Sequence, residues 1–188
     1  EAARCEADAR RYHLAYSEAV STLAPGCPGN SVRDNPGISV KLSALHPRFE
    51  YAQRQRALDE LLGRVAALAQ LARSAGMGFN IDAEESERLD LTLDVIEVLL
   101  SDQALAGWDG FGVVVQAYSL SASAVIDWLH CLAERQGRRI MVRLVKGAYW
   151  DTEIKRAQVL GLNSYPVFTR KASTDVSYLA CAQKLLGL

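Results

Sequence analysis

The stretch that decides the fold is Ile140-Met-Val-Arg-Leu-Val-Lys-Gly-Ala-Tyr-Trp150. It begins with a short apolar run that is typical of a buried strand and is interrupted by a single arginine, Arg143. Gly147 and Ala148 break the run, and a helical pattern follows over residues 150–160. The stretch therefore predicts a strand that passes directly into a helix, with polar and small residues at the carboxyl end of the strand.

The same strand-to-helix unit recurs along the chain. Short apolar runs alternate with longer segments whose apolar residues have the spacing of a helix face. Regular alternation of this kind implies a parallel sheet with helices on its outer faces. The strands are predicted at residues 38–42, 79–82, 110–116, 140–144 and, more weakly, 165–168, and the helices at 2–22, 53–73, 86–100, 121–136, 150–160 and 175–186.

Two architectures contain such a sheet, the open doubly wound sheet and the closed (β/α)8 barrel. An open dinucleotide-binding sheet would carry G-x-G-x-x-G directly after a strand, and this sequence does not. A closed barrel takes about 250 residues, so 188 residues with five predicted strands are too few. We therefore expect an α/β fold, a partial TIM-like barrel of parallel strands whose first and last strands lie outside this chain. Residues 1–33 would form its N-terminal helix and connector, and residues 34–188 its incomplete core.

Composition and charge indicate an ordinary globular core. Hydrophobic residues make up 49% and charged residues 23%. Lys and Arg number 21 against 22 Asp and Glu, which gives a formal net charge of −1. Because binding to phosphate backbones needs a basic excess, we expect no nucleic acid contact from this segment.

The remaining composition bears on compartment and metal binding. No apolar run is long enough to span a bilayer, and we expect a cytoplasmic location. The three histidines share no ligand spacing, so we expect no metal site. The four widely spaced cysteines are expected to be scattered buried thiols: Cys5, Cys27, Cys131 and Cys181.

Polar residues stand at the carboxyl end of each predicted strand. In a parallel barrel all strands end at the same mouth, where the following loops build the active site. Five strand ends would thus bring a lysine, a carboxylate, an amide and arginines to one pocket, where charges need partners or a ligand. These residues are Lys41, then Asp82 with Glu84 and Glu85, Gln116, Arg143 with Lys146, and Arg170 with Lys171.

Arg143 has two interpretations. It could form a structural ion pair with Asp82 or Glu84, or its planar guanidinium could hold an anion or an electron-rich ring. The following Lys146-Gly-Ala-Tyr-Trp150 favours the second interpretation. Small residues let backbone N–H groups approach a ligand, and two aromatic side chains directly after them could stack on a ring system.

The motifs resemble those of the proline dehydrogenase family. Residues 143–150 are similar to the family's flavin-binding signature, and Asp151-Thr-Glu-Ile-Lys-Arg-Ala-Gln158 continues the likeness toward the branch of bifunctional proline utilization enzymes. The resemblance covers residues 37–186, and Glu1-Ala2-Ala3 is similar to the stretch after the family's first barrel strand. Further matching motifs are Gly37-Ile-Ser-Val-Lys-Leu-Ser-Ala-Leu-His-Pro-Arg48, Asn80-Ile-Asp-Ala-Glu-Glu85, Gln116-Ala-Tyr118 and Tyr165-Pro-Val-Phe-Thr-Arg-Lys171.

The resemblance implies an activity and a cofactor. FAD would lie across the mouth of a distorted barrel and take a hydride from carbon 5 of L-proline, giving 1-pyrroline-5-carboxylate. Asp82 and Arg143 would be the catalytic residues, with Arg143 near flavin N5. Lys41 would neutralise the proline carboxylate, Asp82 would sit beside the substrate, and Tyr149 would line its pocket. The cofactor-binding residues implied in this way are Gln116, Arg143, Val145, Lys146, Gly147, Ala148 and Trp150, with Arg170 and Lys171 as phosphate contacts.

The resemblance also implies parts that lie outside these residues. Two adjacent arginines of the family would come after Leu188, and a threonine-histidine motif that also binds FAD would lie on a missing strand, so the site would be incomplete here. A membrane quinone as electron acceptor, a downstream aldehyde dehydrogenase domain and peripheral inner-membrane association in the reduced state are further implications. Two alternatives stay open at this point: a phosphate-binding or Schiff-base barrel enzyme that uses Lys41, and a non-catalytic barrel fragment.

Overall fold

A computed structural model describes residues 2–27 and 31–188. Glu1 and residues 28–30, which belong to the predicted N-terminal helix and connector, lie outside the described residues. The strands are β1 (Gly37–Val40), β2 (Gly78–Ile81), β3 (Phe111–Gln116) and β4 (Met141–Val145). The helices are α1 (Glu6–Leu23), α2 (Leu42–Leu45), α3 (Arg54–Ser74), α4 (Leu89–Ser101), α5 (Ala122–Gln136), α6 (Trp150–Val159) and α7 (Lys171–Leu186).

The predicted helices are all present, with ends that differ by a few residues. Helix α1 begins at Glu6 instead of residue 2, because Cys5 has an extended backbone. Helix α7 begins at Lys171, four residues earlier than predicted, directly after the extended Arg170. Helix α5 ends as predicted at Gly137, which adopts a left-handed φ of 59° that glycine tolerates without strain.

The four strands form one parallel sheet in the order β1-β2-β3-β4. Val40 pairs with Ile81, Ile81 pairs with Val113, and Val113 pairs with Val142. The parallel, sequential order predicted for these four strands is therefore confirmed. The first strand is shorter than predicted, because Leu42 is fully buried and begins the short helix α2.

The predicted fifth strand at residues 165–168 is wrong. Only Val167 forms an isolated antiparallel bridge, with Ser119. The Phe168 N–H donates to the Tyr118 carbonyl at 2.8 Å, and the Leu120 N–H donates to the Pro166 carbonyl at 3.0 Å. The segment therefore pairs with the loop after β3 and does not extend the ladder.

One face of the sheet packs against the helices and forms the core. Alternate strand residues on this face are fully buried, and helices α3, α4 and α5 cover them with aliphatic side chains. Burying each leucine or phenylalanine of this kind contributes roughly 1.5–3 kcal/mol. The buried strand residues are Val40, Phe79, Ile81, Phe111, Val113 and Val115, and the helices add Leu61, Val65, Leu68, Leu91, Val95, Leu129 and Leu132.

The opposite face of the sheet is more polar and partly open. Strand alternation places Ser39, Asn80, Val114 and Arg143 on it. Gly112 lies on the same face, where an added Cβ would meet the Asn80 Oδ1 atom at 2.1 Å. Parallel sheets are ordinarily covered on both faces, so this arrangement is the one expected of a barrel wall. Closure into a barrel stays a prediction.

The prediction of buried thiols holds only for Cys181. Cys5 and Cys131 are exposed and Cys27 is half-buried, and all four are free thiols. In residues 2–27 and 31–188, no three His, Cys, Asp or Glu side chains are grouped so that they could hold a metal ion. Among the same residues, no helix has the length and hydropathy needed to cross a bilayer.

Candidate active site

The predicted polar residues lie at the carboxyl edge of the parallel sheet. Lys41 follows β1 directly, Asp82 follows β2, Gln116 ends β3, and Lys146 follows β4. The Asp82 N–H donates to the Val40 carbonyl at 2.9 Å, so the ladder continues to this level. The structure thus brings these strand ends together, as the parallel order requires.

Arg143 and Asp82 form an ion pair across the open face of the sheet. Arg143 pairs in register with Val114, and Asp82 follows Ile81, which pairs with Val113. The arginine therefore reaches over β3, a span of about two strand spacings, or ~10 Å. Of the two interpretations, the ion pair with Asp82 is observed. Only one guanidinium nitrogen makes it, so other N–H donors stay available for an anion or a ring.

The environment of Arg143 differs from the buried one that its apolar neighbours predicted. Strand β4 lies at the edge of the described sheet, and no residue of it is fully buried. The Arg143 side chain is 50% exposed, whereas that of Asp82 is 21% exposed. The guanidinium is therefore oriented by a carboxylate on one side and accessible on the other.

Gln116 joins two of the loops at this edge. Its Nε2 donates to the Glu84 carbonyl at 2.8 Å, and its Oε1 accepts from the Ala148 N–H at 3.2 Å. The amide keeps one N–H and one lone pair unused by these two bonds. It holds the loop after β2 and the loop after β4 at a set separation.

The loop from Lys146 to Tyr149 packs tightly on Tyr118. The Tyr118 N–H donates to the Lys146 carbonyl at 2.7 Å, and Gly147 has a φ of 137°. A Cβ at Gly147 would lie 2.4 Å from the Tyr118 ring, so only glycine fits this close approach. Gly147 and Ala148 are exposed on their other side, which leaves a small-residue surface open to a flat ligand.

A cluster of cationic groups lies beside this loop. The two carboxylate oxygens of Asp175 bind the Lys146 and Lys171 ammonium groups, the second at 2.7 Å. These two hydrogen bonds lower the pKa of Asp175, and the bond to Asp175 raises the pKa of Lys146. One carboxylate faces two exposed lysines, so the cluster has an excess of positive charge. Arg170 directly precedes Lys171 in the chain.

Two aromatic residues start helix α6. Trp150 is 41% exposed, and its indole N–H donates to the Phe168 carbonyl at 2.9 Å. Tyr149 is half-buried. Burial raises the pKa of Tyr149, and the charges of Glu84, Glu85 and Asp82 raise it further. Trp150 therefore offers an indole face in a set orientation, and Tyr149 keeps its phenolic proton.

Lys41 is half-buried at the end of β1. Its backbone N–H donates to the Tyr16 hydroxyl oxygen at 3.2 Å. Its ammonium group makes no hydrogen bond or ion pair with any residue in the ranges 2–27 and 31–188. A cation of this kind, at the carboxyl edge of the sheet, is suited to a carboxylate ligand.

Sequence reasoning missed the structural importance of two buried carboxylates. Glu84 accepts from the Ser43 N–H at 3.0 Å and from Arg88 at 2.6 Å. Glu153 lies on the same face of α6 as the buried Ala157, four residues further along. A charged residue on the buried face of a helix was the signal that could have identified Glu153.

Comparison with known proteins assigns the family. The family model described as proline dehydrogenase matches residues 1–187. The chain belongs to the proline dehydrogenase family. It is 54% identical over 188 residues to the bifunctional protein PutA of Escherichia coli K12, covering 100% of this chain and 14% of that protein. It is 56% identical over 177 residues to the PutA of Rhizobium meliloti, covering 94% of this chain and again 14% of the relative.

Solved structures agree with this assignment. A mutant of proline utilization A from Bradyrhizobium japonicum superposes with a TM-score of 0.98 at 57% identity, covering 100% of this chain and 19% of that one. The Bdellovibrio bacteriovorus enzyme, inactivated by N-propargylglycine, superposes with a TM-score of 0.90 at 31% identity, covering 100% and 21%. The chain spans about one-seventh of the length of the curated PutA relatives that it matches.

Proposed function

We propose that this chain is the catalytic core of a flavoenzyme that oxidises L-proline to 1-pyrroline-5-carboxylate, with FAD as cofactor. The observation that carries the proposal is the Asp82–Arg143 ion pair on the open face of the sheet, beside the loop 146–149. Membership of the proline dehydrogenase family supports the reaction class. When bound, FAD would supply a two-electron acceptor that takes a hydride at N5.

The residues present fit a flat, anionic cofactor. The exposed Gly147 and Ala148 leave room for a ring system, and the half-exposed Arg143 guanidinium faces the same side of the sheet. The ammonium groups around Asp175 suit a pyrophosphate. The residues that would hold FAD are Gln116, Arg143, Val145, Lys146, Gly147, Ala148 and Trp150, with Arg170 and Lys171 as further phosphate contacts.

Arg143 and Asp82 would act together in the hydride transfer. Asp82 holds the guanidinium in one orientation, so its positive charge is in place before negative charge develops on the acceptor. A preorganised charge of this kind stabilises a transition state without reorganisation at the moment of reaction. Asp82 would also border the substrate and keep the adjacent polar groups oriented.

Lys41 and Tyr149 would bind the substrate. The Lys41 ammonium group, which binds no described side chain, would pair with the proline carboxylate. Tyr149 would form a flat, uncharged wall for the pyrrolidine ring, and burial raises its pKa further from neutral pH. The two residues flank Asp82 along the sheet edge, which suits a small zwitterionic ligand.

The partly open polar face supports a wider architecture. We propose that residues 34–188 form part of the wall of a (β/α)8 barrel, with 1–33 as its N-terminal helix and connector. The E. coli relative is named a bifunctional protein, which supports a second activity in the complete protein. We propose that a downstream aldehyde dehydrogenase domain carries it. A quinone acceptor and peripheral membrane association of a cytoplasmic enzyme belong to the same proposal.

The test is made on the complete protein that contains this chain. We expect the purified protein to show flavin absorbance and to lose it when L-proline is added without oxygen. Proline deuterated at carbon 5 should slow this bleaching, since that C–H bond breaks. Absence of flavin, or borohydride trapping of a substrate adduct on Lys41, would contradict the proposal and favour the Schiff-base alternative.

A further inference from the structure

Glu153 is the most buried carboxylate near the mouth of the sheet. It is 2% exposed. Its Oε1 accepts from the Ser86 N–H at 2.6 Å, and its Oε2 accepts from the Ser86 hydroxyl at 2.6 Å. Both oxygens are thus used by one residue that lies 67 positions away in the sequence. We call this arrangement the Ser86–Glu153 clamp.

The clamp joins two segments that carry the proposed site. Glu153 lies in the first turn of α6, directly after the loop 146–149, and its own N–H donates to the Tyr149 carbonyl at 2.9 Å. Ser86 begins the turn that follows Asp82 and Glu84. Moving α6 away from this turn would therefore move Tyr149 and Trp150 relative to Asp82.

The energetics indicate a positional role. A buried carboxylate costs free energy unless hydrogen bonds compensate for the lost water. Here no cation neutralises it within the described residues, so the two bonds from Ser86 have to replace its hydration. Its charge also acts on Tyr118, whose pKa is raised first by burial and then by Glu153. Tyr118 is the residue that packs on Gly147, so the Glu153 charge acts on a side chain that supports the loop.

We propose that Glu153 is a positioning residue that, together with the Gln116 bridge between the same two loops, sets the separation between Asp82 and the segment 146–150. The proposal deepens the proposed function and rests on it, because it concerns the geometry of the same site. Among residues 2–27 and 31–188, the Glu153 carboxylate makes hydrogen bonds to Ser86 and none to the residues proposed to bind substrate or cofactor. It acts through helix α6, which carries Tyr149 and Trp150 at its start.

The experiment uses the complete protein and a set of variants. Glu153→Ala removes both hydrogen bonds, and Glu153→Gln keeps one acceptor oxygen for the Ser86 N–H. Ser86→Ala removes only the hydroxyl bond. Leu99→Ala is the matched control, because it also weakens the structure by opening space in the core, under α4 and away from the clamp.

We expect Glu153→Ala to lower FAD content and to lower kcat/KM for L-proline by about 10- to 100-fold, since displacements near 1 Å have effects of that size. Glu153→Gln should retain most of the wild-type FAD content and kcat/KM. Ser86→Ala should also lower FAD content and kcat/KM. The double variant should be little worse than Glu153→Ala alone, as expected for partners in one interaction. Leu99→Ala should lower thermal stability with FAD content and kcat/KM unchanged.

Hydrogen exchange gives a readout that does not depend on the cofactor. In apo-protein, Glu153→Ala should speed amide exchange at residues 86–88 and 150–155, and Leu99→Ala should not. If Glu153→Ala does not fold, Ser86→Ala takes its place in both measurements. The inference would be overturned if variants at Ser86 and Glu153, like Leu99→Ala, left FAD content, kcat/KM and amide exchange at these residues unchanged. Wild-type protein without flavin would overturn the proposed function instead, with the exchange result then standing by itself.

Discussion

The positive charge of Arg143, which is oriented by Asp82, is expected to affect FAD binding and flavin reduction. Arg143→Met in the complete protein should weaken FAD retention and make the bound flavin harder to reduce. The reason is that a cation facing a developing negative charge is lost, which at comparable sites costs on the order of 2–4 kcal/mol. Half exposure of the side chain places the expected loss at the lower end. FAD content and the flavin reduction potential are the measurements.

Arg139→Met is the matched control for this prediction. Arg139 lies just before β4, is 77% exposed and pairs with Asp109 at 3.6 Å, at the opposite end of the strand from the site. It should leave the flavin unchanged. Full FAD occupancy and an unaltered potential in Arg143→Met would mean that the Asp82 pair is only structural.

Lys41 makes a prediction about substrate binding. Lys41→Ala should keep its flavin but lose affinity for proline and for carboxylate-bearing analogues. Truncating one partner of a desolvated charge pair costs roughly 2–5 kcal/mol, and half-burial of Lys41 favours the lower part of that range. Titration of the flavin absorbance with an analogue measures the change.

The control ligand is a matched analogue that lacks the carboxylate. It should bind wild type and Lys41→Ala with almost equal affinity, because without a carboxylate it forms no ion pair with the Lys41 ammonium group. Lys155→Ala, which removes an exposed lysine from α6, should change neither titration. Equal weakening of both ligands in Lys41→Ala would assign Lys41 a structural role.

The loop between β4 and α6 depends on its backbone as much as on its side chains. Gly147→Ala places a methyl group 2.4 Å from the Tyr118 ring at a φ of 137°. We expect it to lower the free energy of unfolding by roughly 1–3 kcal/mol and to reduce FAD content. Gly63→Ala is the contrasting control, because an added Cβ in the middle of α3 meets open space.

Gly63→Ala should raise the free energy of unfolding by about 0.5–1 kcal/mol, since alanine is the better helix former. Denaturant unfolding of both variants tests the pair. A Gly147→Ala protein as stable as wild type, with full FAD content, would show that the loop relaxes without loss. That result would remove the argument that this close approach shapes the site.

The whole molecule presents an exposed apolar stripe on α7. Val176 and Leu179 are each 68% exposed and Leu186 is 90% exposed, at spacings that place them on one face of the helix. Exposed apolar surface of this kind promotes association. We expect the 188-residue chain by itself to self-associate in a concentration-dependent way, as measured by light scattering.

Val176→Glu combined with Leu179→Glu should shift the chain toward monomer. Leu14→Glu is the control, because Leu14 is 60% exposed on α1, outside the stripe. It should leave the association unchanged. Equal scattering from the double variant and wild type would place the associating surface elsewhere.

The sequence by itself determined the strand-to-helix alternation, the parallel order of four strands, and the presence of Lys41, Asp82 and Gln116 at one edge of the sheet. These properties follow from local patterns. Apolar residues repeat every two positions in a strand and every 3.6 in a helix, and a glycine often ends a helix, so a few neighbouring residues are enough to recognise each element. Even the open polar face follows from alternation along each strand.

Only the tertiary structure decided which side chains meet. Arg143 could have paired with Asp82 or Glu84, and its choice depends on the register of three strands over 61 positions. The Ser86–Glu153 clamp spans 67 positions. The segment 165–168 has the composition of a strand, but its pairing depends on the loop after β3. Partner choice depends on how far a side chain reaches in space, and no local pattern contains that distance.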